Sequence, residues 1–273
     1  MKNIQLFVVD PQNSFILHSD EYKMLPGGHL DLCVDGAQAD MDRLAAMINV
    51  HHKSISDIHA TMDSHQKLHI ASPIFWVDAN GNHPNPFTII TSADIKNGVW
   101  RTSRPSLQAK AAAYVQQLEA NGRYALCIWP PHCIIGTNGH NIYQPLREAF
   151  YVWEDNHQIV DFVTKGSNPF TEHYSGLEAD VVDPADPSTQ LNTGLIQTLV
   201  NCDYLLIAGE ALNFCVASTV NSIADNVSPD LVKKFVILED ATSPVKGFEH
   251  LTDKFIAGMK AKGAQFSTTT QFF

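Results

Sequence analysis

Residues 4–10 read Ile-Gln-Leu-Phe-Val-Val-Asp, a short apolar run that ends at a carboxylate. A run of this length and composition is typical of a buried strand. Five later runs have the same character: residues 58–62, 124–129, 159–164, 204–208 and 235–238. Helical spacing of apolar residues marks stretches between them, as in 37–48 and 191–199. This alternation predicts an α/β fold, a three-layer sandwich whose mostly parallel central sheet is covered by helices on both faces.

The composition excludes several classes of protein. The chain has 273 residues, of which 44% are hydrophobic and 17% charged, so a large core is expected and disorder is not. The 18 Lys and Arg residues against 29 Asp and Glu give a formal net charge of −11. Such a chain repels phosphate backbones and anionic membranes, so we expect neither nucleic acid nor a membrane as partner.

The first apolar run also bears on where the protein works. Asp10 interrupts that run before it could form the core of a signal peptide, and no later run has the length of a membrane span. The five cysteines are an odd number, which favours reduced thiols over a disulfide framework. We therefore expect a cytoplasmic protein.

The chain shows no polar linker or internal repeat, so a single domain over residues 1–273 is predicted. Residues 66–104 form a long insertion without a clean period. It is rich in aromatic residues, including Phe75, Trp76, Phe87 and Trp100. An insertion of this kind favours an ordered lid or a subunit contact, the latter in a homo-oligomer.

Polar residues with chemical potential lie where the predicted strands end. Ligands of open α/β sheets bind beyond the carboxyl ends of the strands. The residues found there are Asp10, Asp63, His65, His132, Lys165 and Cys215. Each of them alone has a plain alternative interpretation as a turn former, a surface group or a buried structural residue. Their joint occurrence at separate strand ends predicts a functional site.

Cys215 is the expected nucleophile of this site. Asn213 is predicted as the N-cap of the following helix, which places Cys215 in the first turn. Free amides and the helix dipole lower the pKa of a thiol at that position, so a thiolate is expected. Three other thiols, those of Cys127, Cys133 and Cys202, fit a structural role.

Asp63 and His65 point the same way on an extended chain and suit half of a divalent metal site. His132 could close that site, because Pro130 and Pro131 fix the backbone before it. His69 is a fourth candidate, facing either a ligand residue or the substrate. A polar turn is the alternative interpretation.

Several motifs extend the argument to a known family. They are Asp10-x-Gln12-Asn13-x-Phe15, Asp63-x-His65, Trp129-Pro130-x-His132-Cys133, Gly136-Thr137-x-Gly139, Lys165-Gly166, Tyr174-Ser175-Gly176 and Gly209-x-Ala211 running to Cys215-Val216. On these residues the chain resembles the isochorismatase-like cysteine hydrolases and, within them, the nicotinamidases. The resemblance covers most of the chain.

The resemblance implies a metal-containing amidase that converts nicotinamide to nicotinate and ammonia through a thioester acyl-enzyme, and a role in NAD salvage. The implied catalytic triad is Asp10, Lys165 and Cys215. The amides of Ala211 and Cys215 form the implied oxyanion hole, after a cis bond between Glu210 and Ala211. Phe15, Trp129 and Tyr174 are the implied substrate-flanking residues. The implied metal ligands are Asp63, His65 and His132, with zinc expected and Fe or Mn as alternatives.

Three departures from the nicotinamidase pattern bear on the substrate. Asn213 stands where Asp is usual, Glu210 where an apolar residue is usual, and Gln144 where His is common. Two other functions therefore stay open. One is hydrolysis of another small amide or a carbamoyl compound, and the other is a catalytically silent binding protein.

Overall fold

A sheet of parallel strands organises the computed structural model, which describes residues 2–17, 32–122, 124–156 and 158–273. The strands are β1 (Ile4–Val9), β2 (Asp57–Asp63), β3 (Trp76–Val77), β4 (Ile89–Ile90), β5 (Arg101–Thr102), β6 (Leu126–Cys127), β7 (Asp161–Lys165), β8 (Tyr204–Gly209), β9 (Phe235–Leu238) and β10 (Gln265–Ser267). The helices are α1 (Asn13–Ile16), α2 (Ala37–His51), α3 (Ser92–Lys96), α4 (Gln108–Ala120), α5 (Gln144–Glu154), α6 (Thr193–Val200), α7 (Ala217–Asp225), α8 (Pro229–Val232) and α9 (Glu249–Lys262).

The central sheet has six strands in the order β10-β9-β8-β1-β2-β7, and every neighbouring pair is parallel. Parallel neighbours need crossover connections, and here helices supply most of them. The predicted α/β sandwich with a mostly parallel sheet is therefore confirmed. Among the described residues, no helix combines the length and the apolar character needed to cross a membrane.

The core lies on both sides of the two middle strands. Every residue of β1 is buried, and β8 is buried from Leu205 onward. Helix α2 turns Met41, Leu44 and Ile48 inward at helical spacing, and all three are fully buried. Most of the apolar runs seen in the sequence are thus inner strands and the helix faces against them. The run 159–164, predicted as a buried strand, instead overlaps β7, an edge strand that is exposed at Asp161, Phe162 and Thr164.

The register of the strands brings their carboxyl ends level. Val9 of β1 lies opposite Gly209 of β8, and Asp63 of β2 lies opposite Lys165 of β7. Gly209 has φ 114°, and a Cβ there would lie 2.0 Å from the carbonyl oxygen of Val9. Only glycine therefore permits this close approach of β8 to β1.

Two parts of the sheet differ from the sequence prediction. The run 124–129 contains the short strand β6, which pairs antiparallel with β4 outside the central sheet. The sixth strand of the sheet is β10, whose residues are exposed or half-buried and so carry no apolar signature. The insertion 66–104 contributes β3, β4, α3 and β5. The single-domain organisation stays a prediction.

Candidate active site

Three residues that are far apart in the sequence meet beyond the sheet edge. Lys165, the last residue of β7, has its Nζ 3.0 Å from Asp10 Oδ2 and 3.5 Å from Cys215 Sγ. The same Nζ lies 3.3 Å from Asp63 Oδ1 and donates to the carbonyl of His173 at 2.8 Å. All these side chains are buried. The structure therefore brings the predicted triad together around one ammonium group.

Asp10 is held at the end of β1 by a sharp turn of the backbone. Its φ is +47°, in the left-handed region that non-glycine residues rarely adopt. Thr61 donates from Oγ1 to Asp10 Oδ1 at 2.6 Å and accepts from the Asp10 amide at 2.9 Å. Burial raises the pKa of Asp10, and the charge of Lys165 opposes that rise without cancelling it. Asp10 is thus oriented and has a raised affinity for a proton.

Cys215 lies in a single π-helical turn, Leu212–Val216, that leads into α7. The predicted thiolate is not supported, because burial raises the pKa of the Cys215 thiol well above its ordinary value. Lys165 lowers this pKa, whereas the nearby carboxylates of Asp10 and Asp63 raise it. Desolvation therefore favours the protonated form of this thiol.

The prediction that Asn213 caps this helix is wrong. The N-cap is Ala211, which has no side chain able to cap. The side chain of Asn213 binds the backbone of Val245 and Phe248 instead. The expected cis bond between Glu210 and Ala211 is present.

A second group of buried side chains lies against Lys165. Asp63 Oδ2 is 2.9 Å from His65 Nε2 and 3.4 Å from His132 Nε2. His132 Nδ1 is 2.8 Å from the carbonyl oxygen of Pro130, which leaves Nε2 facing Asp63. An isolated parallel bridge between His65 and Ile134 holds the His132 segment beside the end of β2. The bridge thus supplies the alignment of His132 that was expected from a third strand at residues 124–129.

These three side chains fit a divalent metal ion. Their ligand atoms lie within 4.8 Å of one another. Atoms bound about 2.1 Å from one tetrahedral zinc ion would be about 3.4 Å apart. The distance from Asp63 to His132 equals this value at 3.4 Å, and the distance from Asp63 to His65 is shorter at 2.9 Å. A Cβ on Gly166 would lie 2.6 Å from Asp63 Oδ1 and 3.0 Å from His65 Cε1, so only glycine leaves this cradle open.

The charges of the group are arranged for a cation. Burial raises the pKa of Asp63, but His65, Lys165 and the hydrogen bonds from both histidines outweigh it and hold that pKa well below its ordinary value. Burial lowers the pKa of His65, whereas the hydrogen bond to Asp63 and its charge overcome burial and raise the pKa of His132. A carboxylate kept ionised between two imidazoles is a donor set that zinc accepts.

His69, the fourth candidate, stands beside this group. Its ring centroid is 4.4 Å from that of His65, and a second potential metal group comprises His65, His69 and Glu172. Both ring nitrogens of His69 already have partners, however, the amide of Ala71 and the carbonyl of Thr171, each at 3.2 Å. The group of Asp63, His65 and His132 therefore fits an ion better.

A cavity opens onto Lys165 and Cys215 of the triad and onto Asp63 and His132 of the potential metal ligands. Its apolar lining includes the three predicted flanking residues, Phe15, Trp129 and Tyr174, and Trp129 donates from Nε1 to Tyr174 Oη at 2.9 Å. Ala211, the other half of the predicted oxyanion hole, lies in the same lining. Aromatic walls of this kind suit a small planar molecule.

The sequence did not reveal five other lining residues: Leu32, Glu172, His173, Phe214 and Val245. Glu172 and His173 immediately precede the Tyr174-Ser175-Gly176 motif, which was the one available signal for them. Burial raises the pKa of Glu172 and lowers the pKa of His173 to about 3. Burial thus shifts both groups toward their neutral forms.

Comparisons with known proteins place this architecture. No family model matches the chain, and no curated protein matches it. A nicotinamidase/pyrazinamidase from Acinetobacter baumanii is 23% identical, with 100% of this chain and 99% of that one covered and a TM-score of 0.59. The yeast nicotinamidase Pnc1p is 21% identical over 96% and 98% of the two chains, with a TM-score of 0.62.

A pyrazinamidase of Pyrococcus horikoshii, solved in complex with zinc, is 19% identical over 97% of this chain and 99% of that one, with a TM-score of 0.54. At these identities the likeness establishes the architecture. The resemblance carried by the strand-end residues is confirmed at that level: the chain has the fold of the nicotinamidases and pyrazinamidases.

Proposed function

We propose that the protein is a hydrolase that cleaves the carbon–nitrogen bond of a small carboxamide, with nicotinamide as substrate and nicotinate and ammonia as products. One observation carries the proposal. A buried ammonium, that of Lys165, contacts both a carboxylate and a thiol beside a cavity with aromatic walls. This arrangement supplies a nucleophile, a base and a fixed positive charge at one point.

The first half of the reaction uses the proton that the resting thiol carries. The Cys215 thiol gives this proton to Asp10 as the sulfur forms a bond to the amide carbon. The carbonyl oxygen becomes an oxyanion, held by the backbone amides of Ala211 and Cys215. Asp10 passes the proton to the nitrogen, the carbon–nitrogen bond breaks, and ammonia leaves a thioester on Cys215.

The second half returns the enzyme to its resting state. Asp10 takes a proton from a water molecule whose oxygen attacks the thioester carbon. The carbon–sulfur bond breaks, the sulfur recovers its proton from Asp10, and the carboxylic acid is released. Lys165 keeps its charge throughout, since burial lowers its pKa but Asp10, Asp63 and Cys215 together raise it well above the ordinary value.

Asp63, His65 and His132 would hold a divalent ion, with zinc expected. When bound, such an ion supplies a Lewis acid that can accept the lone pair of a ring nitrogen. The zinc in the Pyrococcus horikoshii pyrazinamidase supports this choice. Phe15, Trp129 and Tyr174 flank the ring and orient the amide toward Cys215. NAD salvage, a cytoplasmic location and a homo-oligomer stay predictions.

The test is release of ammonia and nicotinate from nicotinamide by the purified chain loaded with zinc. Cys215→Ala is expected to abolish release and to prevent formation of a nicotinoyl adduct detectable by mass spectrometry. Cys202→Ala is the matched control, since Cys202 is a buried thiol whose Sγ contacts only a helix carbonyl, that of Leu199. Ammonia release that survives Cys215→Ala would refute the nucleophile, and release only from other amides would change the substrate.

A further inference from the structure

The segment 241–248, which follows β9, runs along the turn that carries Cys215. The amide of Gly209 donates to the carbonyl of Ala241 at 3.0 Å, and the amide of Leu212 donates to the carbonyl of Ser243 at 2.9 Å. Residues two apart in an extended chain point the same way, so one edge of the segment faces the nucleophile turn. We call residues 241–248 the wall segment.

Asn213 binds the next part of the wall segment with its whole amide group. The Val245 amide donates to Asn213 Oδ1 at 2.9 Å, and Asn213 Nδ2 donates to the carbonyls of Val245 at 3.0 Å and Phe248 at 3.3 Å. Asn213 is fully buried. This pairing needs an acceptor and a donor on one short side chain, which Asn provides and an ionised Asp does not.

Glu210 holds the beginning of the same segment. The Ser243 amide donates to Glu210 Oε2 at 3.1 Å, and Ser243 Oγ donates to Asp40 Oδ2 at 2.5 Å. Burial raises the pKa of Glu210 well above its ordinary value, and the Asp40 carboxyl raises it further. The two residues that depart from the nicotinamidase pattern beside Cys215 thus share one structural task.

The wall segment ends against the substrate cavity. Val245 lines that cavity together with Phe214 and Trp129. The ring of Phe248 packs behind them, with its centroid 5.0 Å from that of Phe214 and 6.3 Å from that of Trp129. A displacement of the segment would therefore change the width of the slot in which a ring must lie.

We propose that the wall segment sets the size of ring that this enzyme accepts, with Val245 as the residue that touches the substrate and Asn213 as the positioning residue that holds Val245 in place. The inference rests on the proposed function for its substrate. It predicts selectivity for unsubstituted heteroaromatic carboxamides over the same rings bearing an alkyl group on the edge that faces Val245.

The first experiment compares kcat/KM for nicotinamide with kcat/KM for its ring-methylated analogues. The preference is the ratio of kcat/KM for nicotinamide to kcat/KM for the analogue methylated on the edge that faces Val245. In Val245→Ala we expect this ratio to fall by about 10-fold, the usual value of one methyl group in a tight pocket. The same ratio of kcat/KM values is expected to fall in Asn213→Ala and Asn213→Asp. The matched control is Asn226→Asp, an exposed residue whose Nδ2 binds the Ser222 carbonyl at the end of α7.

The second experiment does not depend on turnover. Cys215 is alkylated with iodoacetamide and with N-benzyl iodoacetamide, and the adduct on its peptide is quantified by mass spectrometry. A change of charge at residue 213 alters the reactivity of the thiol toward both reagents, so this effect cancels in the ratio of the two alkylation rates. The ratio therefore reports the width of the slot. We expect the small reagent to be favoured in the unmodified chain and less so in the Val245 and Asn213 variants.

The outcomes separate the two proposals. If no amide releases ammonia but the alkylation ratio shifts in the variants, the proposed function is wrong and the proposal for the wall segment is supported. If nicotinamide is hydrolysed but neither ratio moves in Val245→Ala, the wall proposal is overturned. Should the Asn213 variants fail to fold, Val245→Ala and Val245→Leu decide the question, since Val245 is only half-buried and the two changes must move the ratios in opposite directions.

Discussion

The two sides of the cavity are built in different ways. The polar side includes Asp63 and Lys165, which end the neighbouring parallel strands β2 and β7, and Asp10, just beyond the end of β1, contacts Lys165. The apolar side consists of residues such as Trp129, Phe214 and Val245, none of which belongs to the central sheet. Strand register fixes the first side, whereas contacts between loops fix the second. The sheet thus places the groups that would carry out the proposed reaction, and loops outside the sheet form the walls that a substrate would meet.

Asp10→Asn breaks the polar side and has the largest expected effect of the four substitutions that probe this contrast. The amide cannot accept the thiol proton, so kcat/KM should fall by about 10²–10⁴. Ammonia release under saturating and limiting nicotinamide measures the change. Asp57→Asn, an exposed residue at the start of β2, is the control and should leave activity intact. Full activity in Asp10→Asn would exclude Asp10 as the base.

Asp63→Asn removes the carboxylate of the potential metal site. Changes to groups that merely support metal ligands cost about 10–100-fold in affinity, so loss of a ligand should weaken binding at least 100-fold. Competition between the protein and a chromophoric chelator measures zinc affinity without any turnover. Tight, stoichiometric zinc in Asp63→Asn would place the ion elsewhere. Asp57→Asn serves again as the control.

Trp129→Phe tests the apolar side. It removes the hydrogen bond from Trp129 Nε1 to Tyr174 Oη but keeps an aromatic face. The loss of one hydrogen bond should raise KM for nicotinamide by about 2- to 10-fold and leave kcat nearly unchanged. Trp153→Phe is the matched control, because its Nε1 donates to the Ile55 carbonyl outside the cavity lining. A fall in kcat without a change in KM would show that Trp129 acts on the chemical step.

Glu210→Gln tests the region between the polar and the apolar side of the cavity. Among the four substitutions it has the smallest expected effect on activity. Burial raises the pKa of Glu210 in the folded chain, so folding binds this proton more tightly than the unfolded chain does. Stability from this group is therefore fully present below the ordinary pKa of 4.5 and is lost as pH rises toward the folded value. Glu210→Gln introduces an amide, which cannot titrate. The free energy of unfolding of this variant should therefore fall less steeply as pH rises, and the two slopes should differ by at most about 1.4 kcal/mol per pH unit.

Urea unfolding at several pH values between 5 and 8 measures that slope. Glu249→Gln is the control, since Glu249 is an exposed carboxylate whose pKa is lowered by the backbone hydrogen bond from Gly247. Identical slopes in Glu210→Gln and the unmodified chain would contradict the assignment of a raised pKa to Glu210.

The sequence predicted the polar side well because parallel strands end at one edge. Asp10, Asp63 and Lys165 needed only the pattern of apolar runs to be placed together. His132 was predicted near them for a partly wrong reason, since β6 lies outside the central sheet and a single bridge to His65 supplies the alignment. Local rules sufficed wherever a residue directly followed a buried strand.

The same local rules failed around Cys215. A capping role for Asn213 and a thiolate at Cys215 both follow from the sequence near the helix start. The first is overridden by the wall segment, about thirty residues later in the chain, and the second by desolvation of the thiol. Val245 and Phe214 carried no signal, because their part in the cavity depends on contacts that only the folded chain makes. Strand β10 was not predicted, because an exposed edge strand needs few apolar residues and so leaves no apolar run in the sequence.

The approach of Gly209 to Val9 has a consequence for how activity is acquired. Asp10 and Cys215 lie just beyond adjoining strands, β1 and β8, that are far apart in the sequence, and the pairing of these strands brings the acid and the sulfur together. Closing so long a loop is among the slower events available to a folding chain. Under the proposed function, a fragment that carried β1 without β8, or β8 without β1, would therefore be inactive, since it would lack either the acid or the sulfur.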